Sequence, residues 1–365
     1  MRSFERGRRH ESLEKNIARI AYAYGFSAAP VTLSRKQLSS VPDGVDAKTG
    51  AALALMHAED TGAVQRWGVA RHGQGSVVSF SVTGTRHPVA HAIVLKAALA
   101  IAELAGSADL SVSISSIGDL ESRKRFTREL TNFFRKNHES LSPEMRHLAA
   151  KDPDAAYREL LKTGDPLRER APRSIDYLSE ASRKTMLATL TLLESVGIPY
   201  VMNPRLMAYP GVNAELVFAI EGTGKDGARV TVASGGRFDE YAKRAKANTA
   251  AVAISVEVNK RVDCEEMAEA PACFVVHVGD AAKLKTFAVV EALWRAHIAV
   301  GQAILAENLR DQIQKGGGVR ARYLGIIGQR EALDGTVIVR NTGTQIQTVL
   351  PAEKLGGYVS RGHRD

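Results

Sequence analysis

The chain has little cysteine. Only Cys264 and Cys273 occur among its 365 residues. They stand nine positions apart, with no CxxC pair and no histidine pair at ligand spacing, so they read as two ordinary thiols in a reducing cytosol, and no metal site is expected. Long apolar runs are also missing. Nothing approaches the roughly 20 residues that span a bilayer. The N-terminus, MRSFERGRRHESLEKNI, is charged and lacks the apolar centre of a secretory signal. A cytoplasmic protein without a membrane partner is expected. Internal repeats and low-complexity segments are absent too.

Acidic residues are the minority: 40 Asp and Glu stand against 49 Lys and Arg, a net charge of +9. Such a balance suits a phosphate-rich partner. The last 95 residues carry 12 Lys and Arg against 8 Asp and Glu, so the excess is spread along the chain and is not a basic tail. With 44% hydrophobic and 24% charged residues the chain reads as an ordinary globular protein, long enough for two or three domains.

The spacing of Leu13, Ile17, Ile20 and Ala21 predicts an amphipathic helix over 12–25, capped by Ser12 and stopped by Gly25. A short strand is expected over 26–33 and a turn-rich loop over 40–50. Alternation predicts strands at 77–82 and 110–117, with Gln74-Gly75 as a hairpin turn. An apolar helix is expected over 88–105, and Asp119 caps a basic helix that runs to about 137. Residues 141–185 read as helical and strongly charged, followed by a helix over 185–196 and a strand at 198–201. Two antiparallel strands, 215–220 and 229–233, flank GTGKDG, and another strand covers 249–256. A linker is placed at 262–272. Beyond it strands and helices alternate, which fits a small α/β domain with a partly parallel sheet.

The segments 54–61, 74–80, 114–123 with 177–205, 233–239 and 249–260, taken in that order, resemble the histidyl-tRNA synthetase family, as do 204–220 and 273–359. The stretch PRLMAYPGVNAELVFAI at 204–220 holds the frame of that family's Arg-Leu-Val-Arg-Gly-Leu-Asp-Tyr-Tyr signature at Arg205, Leu206, Val217 and Phe218. The signature's second arginine falls on Ala208, and its two tyrosines fall on Val212 and Asn213. ALMHAEDT at 54–61 sits where the family has Leu-Arg-Pro-Glu-Gly-Thr; Glu59 and Thr61 match its amino-group ligands, and His57 replaces the arginine. Gln74, Gly75 and Phe80 resemble the motif 2 hairpin, with Gly68 and Ala70 at the ATP-binding arginine and its glutamate. Val82 and Arg86 fall where the histidine-binding glutamine and glutamate belong. ASGGRFD at 233–239 resembles Ala-Gly-Gly-Arg-Tyr-Asp and carries Gly235, Gly236, Arg237 and Phe238. TAAVAISVEVNK at 249–260 lies at motif 3, with Glu257 at a glycine and Lys260 at the ATP-clamping arginine. Structural segments 114–123 and 177–205 are similar in phrasing and spacing, and 273–359 resembles the anticodon-binding domain.

The resemblance implies an α+β fold. A class II antiparallel-sheet core over 1–265, with a helical insertion at about 120–195, is followed by an α/β anticodon-binding-like domain at 272–365. It also implies a homodimer, with the helix at 12–25 at the interface; Ile17, Ile20 and Tyr24 fit that role and fit core packing equally. Its departures concern charge. Amino acid activation brings a carboxylate onto a phosphate, and preorganised cations must meet the charge that develops. Where the family supplies arginines, this chain has Gly68, Ala208 and Lys260, and a lysine lacks the planar fork of an arginine. Glu257 would repel phosphate. Glu59 reads either as the partner of Arg86 in a structural ion pair or as a retained amino-group site for another amino acid. Arg66, Arg71 and Arg237 are the candidates for a displaced cation.

In the last domain Arg310, Lys315, Arg320 and Arg322 surround glycines 316–318, read as a loop that approaches an RNA backbone, and Tyr323 and Tyr358 are candidates for stacking on bases. The leading reading is a catalytically degenerate synthetase relative that binds tRNA or another RNA or regulates a partner, with no DNA partner and no cofactor. One alternative is an active histidine–tRNA ligase using ATP and magnesium. Another is a regulatory subunit similar to the synthetase-like regulator of ATP phosphoribosyltransferase.

Overall fold

A computed structural model describes residues 12–32, 45–56, 62–206, 208–209, 211–224, 227–244, 250–264 and 270–361. In chain order it contains α1 (Leu13–Ala23), β1 (Ser27–Ala28), α2 (Ala47–Ala54), β2 (Val64–His72), β3 (Gly75–Thr83), α3 (Val89–Leu104) and β4 (Ala108–Gly118). A helical run follows: α4 (Leu120–Lys136), α5 (Pro143–Lys151), α6 (Pro153–Thr163) and α7 (Glu180–Ser195). Then come β5 (Tyr200–Met202), β6 (Ala214–Thr223), β7 (Arg229–Arg237), α8 (Asp239–Arg244) and β8 (Ala251–Val258). The remainder is β9 (Cys273–His277), α9 (Asp280–Arg295), β10 (Val300–Gln302), α10 (Leu309–Gly318), β11 (Tyr323–Ile327), α11 (Gln329–Asp334), β12 (Thr336–Asn341), β13 (Gln347–Pro351) and α12 (Leu355–Arg361).

Short polar side chains start the helices where backbone N–H groups lack partners. Ser12, Asp119, Ser142, Asp152, Ser179 and Asn308 each accept from a backbone N–H in the first turn. Asp46 accepts from Thr49 N at 2.7 Å and starts α2. The expected loop over 40–50 is therefore helical from Ala47, because this cap outweighs the turn residues around it. Residues 41–44 lie outside the described residues, as do 33–40. Gly25, with φ +81°, ends α1 as expected.

The chain divides into two compact units. The first comprises residues up to 30, 65–78 and 258 onward. Its C-terminal sheet has the order β10-β9-β11-β12-β13, with β10, β9 and β11 parallel and β12 and β13 antiparallel. Ile17, Ile20 and Tyr24 of α1 are buried inside this unit, where Trp294 Nε1 donates to the Tyr24 hydroxyl at 3.3 Å. Those side chains serve the core of their own chain, so they do not form an exposed dimer face. Cys264 and Cys273 are not joined in a disulfide.

The second unit comprises 31–64 and 79–257. Its strands run β3-β8-β7-β6-β4-β5, antiparallel from β8 to β4, with β5 parallel to β4. Alternation gives this sheet two different faces. One is apolar, with Ile254, Phe218 and Ile114, and α3 and α7 pack on it. Burying these side chains stabilises the sheet by roughly 1.5–3 kcal/mol each. The helical insertion has its own core around Phe126, Leu130, Phe133 and Leu160.

Candidate functional site

The second face of that sheet is built from small residues. Direct cross-strand neighbours form the row Ser255, Ser234, Ala219 and Ser113, and beside it the row Ala253, Gly236, Val217 and Ser115. Ser79 Oγ lies 2.7 Å from Ser255 Oγ and extends the first row onto β3. A floor this flat admits a helix closely, and α2, AKTGAALA, packs on it. Ala52, Leu53 and Met56 join Ala253, Val212, Phe238 and Tyr241 in one buried cluster. Lys48 of α2 donates to Thr231 O at 3.4 Å and lies 3.5 Å from the Glu257 carboxylate. The carboxylate expected to repel phosphate is thus matched by a lysine of the same unit.

The structure brings some of the candidate residues together and separates others. Val212 and Phe238 meet in the cluster under α2. Gly236 is on the same floor, where an added Cβ would sit 2.7 Å from Leu216 O. Val82 alternates with Ser79 and Ser81, so it points to the opposite face and is buried there. Gly235 also faces that side, and a Cβ on it would lie 2.2 Å from Ala253 O. Asn213 fixes the turn before β6: its Oδ1 accepts from Tyr209 N at 2.9 Å, and its Nδ2 donates to Arg237 O at 3.5 Å.

Arg237 is the largest fully buried side chain, 2% exposed. Its Nη2 donates to Asp239 Oδ1 at 2.9 Å. Asp239 Oδ1 also accepts from Ala251 N at 2.9 Å, and Oδ2 lies 3.1 Å from Arg86 Nη1. Arg237 is therefore anchored within the fold by Asp239, and Arg86 pairs outward with the same carboxylate. Asp239 was not singled out by sequence reasoning, although it closes the GGRFD match. His91 lies edge-on to Phe218. Burial, with the charge of Arg237 second, pushes its imidazole down to about 3.

Gly68 is buried in β2, and Lys260 is exposed after β8; both belong to the first unit. Arg71 is exposed, with Asp263 at 4.0 Å. Ala208 lines a cavity of the helical insertion. Glu59, Thr61 and His57 lie outside the described residues.

In the first unit Arg310, Lys315, Arg320 and Arg322 are all exposed. Glycines 316–318 are not a loop but the last turn of α10. Gly316 is buried there against Phe274 and Leu324, where a Cβ would have 2.9 Å and 3.1 Å of room. Tertiary packing overrides the low helix propensity of glycine at this point. Tyr323 is 5% exposed and lies edge-to-face with Tyr358 at 5.7 Å, so it is a core ring and not a platform for bases. The Arg322 guanidinium sits 5.9 Å from that ring.

No protein-family model matches the chain. It is 26% identical over 289 residues to the histidine–tRNA ligase of Geobacillus kaustophilus, covering 76% of this chain and 67% of that one. It is 29% identical over 258 residues to the histidine–tRNA ligase of Neisseria meningitidis serogroup C, covering 67% of this chain and 59% of the relative. The match thus spans 59–67% of the length of these two relatives. Among solved structures, apo histidyl-tRNA synthetase of S. aureus superimposes with a TM-score of 0.53 at 18% identity, over 98% of this chain and 100% of that one. The chain is similar to histidyl-tRNA synthetases in sequence and has a class II synthetase-like α+β fold.

Proposed function

We propose that this protein is a synthetase relative that no longer activates histidine and instead binds RNA, tRNA first among candidates. One observation carries the reading: the sheet face framed by the motif-like strands is floored by serine, glycine and alanine, is covered by α2, and has its cation Lys48 paired with Glu257. Bringing two anions together needs fixed positive charge, and removing one such group typically costs roughly 100- to 1000-fold in rate. Among the described residues, the cationic positions that the resemblance assigns to amino acid activation read Gly68, Ala208 and Lys260, and they fit ATP and magnesium poorly. Neither is a resident cofactor on this reading. RNA binding rests on Arg310, Lys315, Arg320 and Arg322, four of the exposed cations of the last domain, within a chain of net charge +9. The homodimer, the cytoplasmic setting and the division at about 265–272 accompany the same reading.

The experiment is filter binding of total tRNA at two salt concentrations. The native chain binds in a salt-sensitive way. The combined variant Arg310→Glu, Lys315→Glu, Arg320→Glu and Arg322→Glu binds roughly tenfold or more weakly, with a shallower salt slope. Salt-insensitive or absent binding moves the account to regulation of a protein partner.

A further inference from the structure

The helical insertion lines an open cavity of about 480 Å³ between α4, α6 and the residues Pro204, Leu206 and Ala208. Helical spacing explains its lining. Lys124 and Arg128 are four apart on α4, and Asp154 and Arg158 are four apart on α6. Leu161 and Leu206 add apolar wall. The insertion packs through Phe126, Leu130, Phe133 and Leu160, so the basic stripe of α4 is not required for that core.

The charges in this cavity do not balance. Arg123 also lines it, but its Nη1 donates to Glu240 Oε2 at 2.6 Å, which matches its charge. Lys124 has no ion pair among the described residues, and Arg128 has only Glu129 at 3.8 Å, itself on the helix surface. Arg158 Nη1 is buried without a hydrogen-bond partner. Buried guanidinium N–H groups normally find acceptors, and an orphan costs free energy. Among the described lining residues Asp154 is the one carboxylate; it accepts from Thr127 Oγ1 at 2.9 Å, burial pushes its carboxyl up, and the charges of Arg158 and Arg123 act in the opposite direction. An anion entering here would meet Arg158 and Lys124 within a lining that also carries Leu161 and Leu206. The volume suits a small molecule and not a polymer.

We propose that this cavity binds a small amphipathic organic anion, its carboxylate or phosphate head against Arg158 and Lys124 and its apolar body against Leu161 and Leu206. Such binding requires neither RNA nor amino acid activation, so it stands or falls separately from the RNA-binding reading.

Isothermal titration of the full chain with phenyl phosphate and with octanoate tests it and distinguishes the two head groups. Inorganic phosphate serves as a head alone and benzyl alcohol as a body alone. At least one amphipathic probe saturates at one site per chain and binds about tenfold or more tightly than either control. Arg158→Ala weakens it by about tenfold, the loss of one charge-assisted contact. Lys124→Ala, an exposed change that leaves folding intact, weakens it in the same direction, while Arg310→Ala has no effect. The proposal is overturned if neither probe saturates, if head or body alone binds as well, or if both cavity variants bind like the native chain.

Discussion

The Asp239 carboxylate stands between two guanidinium groups, with Arg237 Nη2 at 2.9 Å and Arg86 Nη1 at 3.1 Å. The two contacts differ in environment. Arg237 is 2% exposed, and the Arg86 side chain is 75% exposed. Removing the partner of a buried charge leaves that charge uncompensated, at about 3–5 kcal/mol, whereas an exposed pair contributes about 0–1 kcal/mol. Asp239→Ala is expected to lower unfolding stability by the larger amount and Arg86→Ala by the smaller. Denaturant titrations of the two variants measure the contrast, and equal losses would show that Arg237 does not depend on Asp239.

Two glycines of similar appearance in the sequence are expected to respond in opposite directions. A Cβ at Gly235 would press on Ala253 O at 2.2 Å and on Ile254 Cα at 2.7 Å. Gly235→Ala therefore costs at least the roughly 1–3 kcal/mol typical of overpacking. Gly317 lies in α10 with nothing within 4 Å of an added Cβ. Gly317→Ala stabilises by about 0.5–1 kcal/mol through helix propensity. Thermal melts of the two variants should move to opposite sides of the native midpoint.

His91 contributes an acid-sensitive term. Its imidazole is pushed down to about 3 in the folded chain, well below the ordinary value of 6.5. Between those two values the unfolded chain binds a proton that the folded chain does not, so stability falls as pH is lowered through this window. The slope from this one group approaches about 1.4 kcal/mol per pH unit. His91→Leu removes the group, and its stability should vary less with pH between about 6.5 and 3 than that of the native chain. An unchanged pH dependence would place the acid sensitivity elsewhere.

Much of the fold was legible because local signals agreed with the packing. Ser12 and Asp119 cap helices as their spacing implied, alternation located β3 and β4, and the GTGKDG turn located β6 and β7 on either side of it. The errors arose where distant residues decide. Gly316 is helical because Phe274 and Leu324 leave no room for a side chain, and nothing in GGG itself signals that. The ring of Tyr323 is taken up by Tyr358, thirty-five positions away in the chain. The helix α2 was hidden among turn residues, although its cap Asp46 was visible. The site was legible as a frame of matching segments, but not as geometry. Strand alternation places Val82 opposite Ser79, and only cross-strand registers reveal that serines from four strands share a floor. The basic stripe on α4 gives no sign of a cavity in the sequence, because the helix that lines the cavity with it begins at Pro153.

On the proposed reading, the serine-floored sheet face does not bring a carboxylate onto a phosphate. Histidine-dependent ATP–pyrophosphate exchange with magnesium measures that step directly on the purified chain. Exchange indistinguishable from an enzyme-free blank is the predicted result, since three cationic positions read Gly68, Ala208 and Lys260. Exchange above the blank that depends on histidine would contradict the account and restore the chain to the active ligases it resembles.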